Sequence, residues 1–299
     1  MMKCSTSLLI GLAAWQFGAT ALAQERAADD GVKVGNMSMF RKLAPTGTLE
    51  KQAAAQYAQT IGQAQQQRAL GPDDNQQVIR LRAIAQKLIP YTERWNPRAS
   101  GWKWEINLIA SKQVNAYCMP GGKIAFYTGI LDTLKLSDDE VAIVMGHEIA
   151  HALREHGAER AGKAVVANFG VRVAEVVASV KGYDPYLAGA LAGKAANVGM
   201  LAFSRQDESE ADLVGLDLAA RAGYDPRAGV VLWKKMAMVN KSAPPQWLST
   251  HPAGDSRIAA ITRHLPEVMP LYLHSKGLSA TAIAPYRSNV KGITPVSYP

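Results

Sequence analysis

The stretch SDDEVAIVMGHEIAHALREHG, residues 137–157, constrains this chain most. Ser137 and Glu140 form a capping-box pattern that opens a helix, and Ile149 and Ala150 fill the middle of a His-Glu-x-x-His run. Each helical residue turns about 100°, so His147 and His151 project about 40° apart, one turn above the other. Glu148 falls about 60° beyond His151 and reaches the same pocket. Two imidazoles so spaced can aim at one zinc ion, while the carboxylate beside them takes a proton from an activated water. A nucleophile made at neutral pH and a base beside it are what peptide hydrolysis needs. His156, five residues beyond His151, is expected to point away, as a cation or hydrogen-bonding group near the same helix's C-terminus.

The rest of such a site must come from another segment. The run SRQDESEADLVGLDLAARAG, residues 204–223, reads as a helix made apolar by Val214, Leu216 and Leu218. Glu208 and Asp212 are four apart and share a face, whereas Glu210 turns about 200° from Glu208. One face can therefore give a third ligand, Glu208, and one turn later a carboxylate, Asp212, to accept the spare N–H of a ligand histidine. Asp207 and Glu210 read as surface charge. Two histidines, one glutamate and a water make the open site expected of catalytic zinc, one Zn2+ per chain.

The surroundings fit an exported globular protein. Lys3, an apolar stretch and Ala21-Leu22-Ala23 before Gln24 read as a signal peptide over residues 1–23. Nowhere else do 18 uncharged apolar residues run together, so the mature chain is expected to be periplasmic or secreted, without a transmembrane helix. The net charge of +8 is spread along the chain without a basic run, which argues against nucleic acid as a partner. Cys4 leaves with the signal, and Cys118 alone cannot close an internal disulfide.

Residues 24–98 are expected to form an N-terminal arm and helical region: a flexible arm to about 45, then helices at 48–70 and 74–89, the second capped from Asp74. Residues 99–270 hold the catalytic domain. WKWEINLI, 102–109, reads as a strand, and Pro120-Gly121-Gly122 turns into a second strand, Lys123 to Tyr127. That second strand could be an edge on which an extended substrate pairs through Lys123, Ile124 and Ala125, with Asn115 shaping the rim. It could equally pair inside its own sheet. Residues 161–200 are weakly helical and broken at Gly182-Tyr-Asp-Pro185. Helices are expected at 204–221, 226–240 and 255–264, and 271–299 reads as an extended, proline-rich tail. The fold class is α+β: helix-dominated and zincin-like, with a small sheet beside the active-site helix.

HEIAH and SRQDESEAD, with NAYCMPGGKIAFYTGILDTL upstream and LSTHPAGDSRI downstream, resemble the gluzincin metallopeptidases that include the HtpX heat-shock protease and the CAAX prenyl proteases. The likeness covers roughly residues 100–265. It looks strongest toward the soluble secreted branch of BepA-like and LoiP-like proteases. The resemblance implies zinc at His147, His151 and Glu208, Glu148 as general base, Asp212 behind a ligand, and a task in envelope protein quality control. His251 matches a position where a histidine lies near the metal. It would stabilise an oxyanion or, in a closed resting form, take the water's place. Arg257 would orient an acid nearby. A LoiP-like lipoprotein carries a lipidated cysteine where this chain has Ala23-Gln24, so peripheral association with the outer membrane is left open.

The expected function is a zinc endopeptidase acting on misfolded or unassembled envelope proteins. The alternative is an envelope chaperone or assembly factor with a largely latent protease site. A zinc hydrolase of peptidoglycan amides is a weaker reading, since nothing suggests a sugar-binding groove.

Overall fold

A computed structural model of the chain describes residues 30–198, 203–239, 246–251, 255–280 and 283–298. The expected signal peptide lies outside these residues. Helices dominate, and a three-stranded sheet flanks them, so the architecture is the expected α+β one.

The first two helices, α1 (Thr46–Gln66) and α2 (Gln76–Leu88), fall where periodicity placed them. The cap of α2 is Asn75, not Asp74: its Oδ1 accepts from the Gln77 and Val78 amides at 2.9 and 3.4 Å. Val78, Leu81, Ile84, Ala85 and Leu88 turn one face of α2 into the core. Residues 30–45, the described part of the expected arm, are packed against the domain. Val32 is buried, the Arg221 guanidinium donates to the Asp30 carbonyl at 2.8 Å, and Phe40 lays its carbonyl on Gly162. Order here comes from arginines meeting backbone carbonyls, which leaves no periodic trace in sequence.

Strands β1 (Glu105–Ile109), β2 (Ala116–Met119) and β3 (Lys123–Tyr127) lie in the order β1-β3-β2. Strand β3 is central, parallel to β1 and antiparallel to β2. The expected substrate edge at Lys123, Ile124 and Ala125 is therefore corrected: all three are buried, with both flanks of the strand bonded. The error came from β2, whose four residues AYCM are too short to show alternation. The β2–β3 turn needs Gly122, which has φ +77° and would drive a Cβ to 2.7 Å from the Trp104 ring.

After α3 (Thr128–Leu134), helix α4 (Asp138–Leu153) opens on the expected capping box of Ser137 and Glu140. Every residue of α4 from Glu140 to Leu153 is buried, so this central helix is packed on all sides. Helices α5 (His156–Val180) and α6 (Pro185–Val198) form a hairpin, with Asp184 capping the Pro185 start. Helix α7 (Arg205–Arg221) crosses α4 closely, and α8 (Ala228–Val239) and α9 (Gln246–Thr250) follow.

The last helix, α10 (Asp255–Lys276), runs beyond the expected end and past Pro266 and Pro270. Both prolines lie on its exposed face, where the carbonyls they leave without an N–H need no partner from the protein. The extended residues that follow lie against the domain, with the Tyr286 hydroxyl 2.9 Å from Ser137 Oγ and the Asn289 Oδ1 2.6 Å from Lys235 Nζ. No helix among the described residues is long and apolar enough to cross a membrane.

Candidate metal centre

Helix α4 delivers His147 and His151 to one buried point, and α7 delivers Glu208 to the same point. His147 Nε2 lies 3.1 Å from His151 Nε2, and the Glu208 oxygens lie 3.6 and 3.5 Å from these nitrogens. His251, just after α9, adds its Nδ1 at 3.2 Å from His147 Nε2 and 2.9 Å from Glu208 Oε1. All four side chains are buried, and one donor atom from each lies within 4.8 Å of every other.

The two outer partners decide which way the rings face. Asp212 is gripped by Arg257 through Nε–Oδ2 at 2.7 Å and Nη2–Oδ1 at 2.6 Å. Burial works against its charge, but Arg257 and His147 outweigh that and hold its carboxyl below the usual range. An ionised carboxylate only accepts, so His147 Nδ1–H donates to Asp212 across 3.1 Å and Nε2 turns a lone pair inward. This is the expected place of Asp212, and Arg257 does orient an acid. Its Nη1 also donates to Glu208 at 2.5 Å.

Burial drives the pKa of His151 well below its ordinary value, so this ring is neutral and able to lend a lone pair. Glu208 is held far below the usual carboxylate range, since its contacts with His151 and His251 outweigh its burial. His251 shifts upward: burial opposes its charge, and Glu148 and Glu208 prevail.

Two imidazole nitrogens 3.1 Å apart, with a carboxylate 3.5–3.6 Å from both, repel one another unless a hydrogen or a cation lies between them. Donors about 2.0–2.1 Å from a tetrahedral zinc stand about 3.3–3.4 Å apart, so the spacing and the N/O chemistry both fit. His147, His151, Glu208 and His251 are the residues that could hold the ion. Beside them Glu148 accepts from Trp247 Nε1 at 2.5 Å and lies 3.6 Å from His251 Nε2.

Several expectations are corrected here. The helix that carries His147 and His151 ends at Leu153, and Glu155 takes the left-handed region with φ +56°, so His156 begins α5. The turn brings His156 back, and its Nδ1 lies 3.0 Å from His151 Nδ1 instead of pointing away. Glu210 is no surface charge: its side chain is 13% exposed and accepts from Arg154 Nε at 3.0 Å. Burial opposes its charge, but His156 and Arg154 hold its carboxyl below the usual range. Asp207 closes the capping box of α7 with Ser204. Trp247 went unnoticed, although its place four residues before His251 signals the stacking of the two rings at 4.9 Å. Asn115 accepts from the Tyr127 amide at 3.1 Å, at the start of β2.

Comparison with known proteins agrees with this geometry. The model of Peptidase family M48 matches residues 75–265. The chain is 36% identical over 174 residues to the mitochondrial metalloendopeptidase OMA1 of Arabidopsis thaliana, covering 58% of this chain and 34% of that one. It is 35% identical over 171 residues to OMA1 of Schizosaccharomyces pombe, with 56% and 48% covered. To the beta-barrel assembly-enhancing protease of Escherichia coli it is 30% identical over 178 residues, with 56% and 36% covered. The chain thus spans a third to about half of the length of these relatives.

Proposed function

This chain belongs to peptidase family M48, and from that premise we propose that it is a zinc endopeptidase whose general base is Glu148. The observation that carries the reading is the convergence of His147, His151 and Glu208 on one buried point with the Glu148 carboxylate beside it. Zinc held there would supply Lewis acidity toward a scissile carbonyl and toward an attacking water. Glu148 takes the proton of that water and hands it to the leaving amine. Trp247, donating to Glu148, keeps the carboxylate aimed at the reacting atoms. The role of substrate edge passes to β2, which lies against α4 and has a free outer flank among the described residues. A cleft of about 420 Å³ runs from Cys118 and Met119 of β2 to His151, walled by Leu49, Ala53 and Phe203. Pairing through the backbone recognises extended chain more than sequence, which suits misfolded or unassembled proteins as substrates.

The E. coli relative is named for β-barrel assembly, and the OMA1 relatives are named as mitochondrial. Together with the leader-like residues 1–23, the former supports placement in the periplasm, in the soluble branch of the family, with residues 99–270 as the peptidase domain. Purified chain is expected to contain stoichiometric zinc and to digest casein until a chelator is added. Glu148→Gln should keep the zinc and lose the cleavage, and unchanged turnover in that variant would reject the base.

The fourth donor favours a second reading. As a fourth donor His251 would fill the position that catalysis needs open, and binding without cleavage would then be a task the chain can perform. Rescue of an envelope-stress phenotype by Glu148→Gln as complete as that by wild type would establish the chaperone in place of the protease.

A further inference from the structure

The two ligand histidines of α4 are supported differently. His147 has a carboxylate, Asp212, directly on its Nδ1. His151 instead has a third imidazole: its Nδ1 lies 3.0 Å from His156 Nδ1, with the ring planes crossed at 76°. Behind His156 stands Glu210, whose Oε2 is 3.5 Å from His156 Nε2 and 3.0 Å from Arg154 Nε. Gln206 donates to the other oxygen of Glu210 at 3.3 Å.

We propose that His156 and Glu210 form a positioning relay that keeps the hydrogen of His151 on Nδ1, so that its Nε2 always offers a lone pair to the metal. The logic runs inward from the acid. Glu210 only accepts, so in its neutral form His156 carries its hydrogen on Nε2 and presents a bare Nδ1. A bare Nδ1 can only accept, and the atom facing it is His151 Nδ1. That atom must then be the donor. The opposite tautomer would put a hydrogen on His151 Nε2, where it would point at the cation and abolish ligation.

The relay is fixed to the fold at both ends. Glu155, in the left-handed turn that returns His156 to His151, accepts from Arg41 at 2.7 Å. Arg154, which holds Glu210, also donates to the Gly35 carbonyl. The N-terminal segment thus braces the ligand set from outside, although neither Gly35 nor Arg41 falls within the residues matched by the family.

The inference rests on the metal site proposed above, and the test separates the two. Zinc affinity of the full chain is measured by competition with a chromophoric chelator, alongside the melting temperature of the metal-free protein. His156→Leu removes donor and acceptor together, and zinc binding should weaken about 10–100-fold. His156→Asn keeps the acceptor, an Oδ1 in the place of Nδ1 that needs no carboxylate behind it to stay bare, and should recover affinity to within about threefold of wild type. Glu210→Ala leaves the three rings in place and should weaken binding by an intermediate factor. In nitrogen-detected imidazole spectra of the zinc-loaded wild type, His151 should show a protonated Nδ1. Equal affinity in wild type, His156→Leu and Glu210→Ala overturns the relay, as does an Asn variant that binds as poorly as the Leu one. Absence of zinc binding in the wild type would overturn the metal site instead.

Discussion

The crossing of α4 and α7 offers a direct test of how the fold builds its metal centre. Gly146 and Gly215 face each other there. A Cβ on Gly215 would fall 2.7 Å from the His147 amide nitrogen and 2.9 Å from the Gly146 carbonyl carbon, both backbone atoms that cannot swing aside. Ordinary contact begins at 3.4 Å, so Gly215→Ala must push the helices about 0.7 Å apart. Overpacking of this kind costs about 1–3 kcal/mol, or about 2–12 °C in melting temperature for a chain of this class. Helix α7 carries Glu208 and Asp212, and α4 carries His147 and His151, so the same displacement opens the ligand set. Zinc–ligand distances tolerate only about ±0.2 Å, and tenfold weaker binding removes about 1.4 kcal/mol of zinc-dependent stabilisation. Scanning calorimetry with and without zinc should therefore show two effects: a lower melting point without metal, and a smaller upward shift on adding it. Gly170→Ala is the control, because a Cβ there meets nothing within 4 Å, and it should be neutral or stabilising. A Gly215→Ala protein that melts like wild type would refute the tight crossing. A lower melting point with the full zinc shift intact would refute its link to the ligands.

Lys235→Met should cost about 3–5 kcal/mol by leaving Glu140 buried without its cation, now 2.7 Å away, and urea melts of Lys235→Met and Lys235→Met/Glu140→Gln should show the double variant the more stable. The same lysine holds Asn289, so proteolysis of the C-terminal segment should quicken in Lys235→Met; equal rates and equal stability would discount the pair. The Cys118 thiol, pushed well above its ordinary pKa by burial and by the nearby Glu148, should be alkylated at pH 8 more than about tenfold slower in the native chain than in denaturant. Equal rates would contradict the raised pKa.

What could be read from the sequence was whatever a single helix determines. The projection of His147, Glu148 and His151 follows from 3.6 residues per turn. So does the choice of Glu208 and Asp212 over Glu210 for the face that meets α4, and the structure brings these side chains together. Local chemistry also fixed Ser137 as a cap. The failures share another cause. Glu155 adopts a left-handed φ that a glutamate does not announce, so His156 was assigned to the wrong helix and its ring to the wrong direction. Strand β2 has four residues, too few for a period, and its absence made β3 look like an edge. Prolines 266 and 270 read as a helix end because sequence does not say which face meets water.

The division has a physical reason. Metal ligands on one helix are held at fixed angles by backbone hydrogen bonds between near neighbours. The groups that set those ligands' tautomers and charge come from far along the chain: Asp212 lies 65 residues from His147, Arg257 lies 45 from Asp212, Trp247 lies 99 from Glu148 and Glu210 lies 54 from His156. No local period links such pairs, because only tertiary packing brings them together. Yet each is required by the ligand it serves, since a buried imidazole or carboxylate without a partner costs several kcal/mol. A sequence that shows His147, His151 and Glu208 therefore demands partners for His147 Nδ1, for His151 Nδ1 and for the Glu148 carboxylate. Asking which buried donor or acceptor fills each of these three places leads to Asp212, His156 and Trp247 in turn, and accounts for why so much charge and so many polar rings can lie in the interior of this fold.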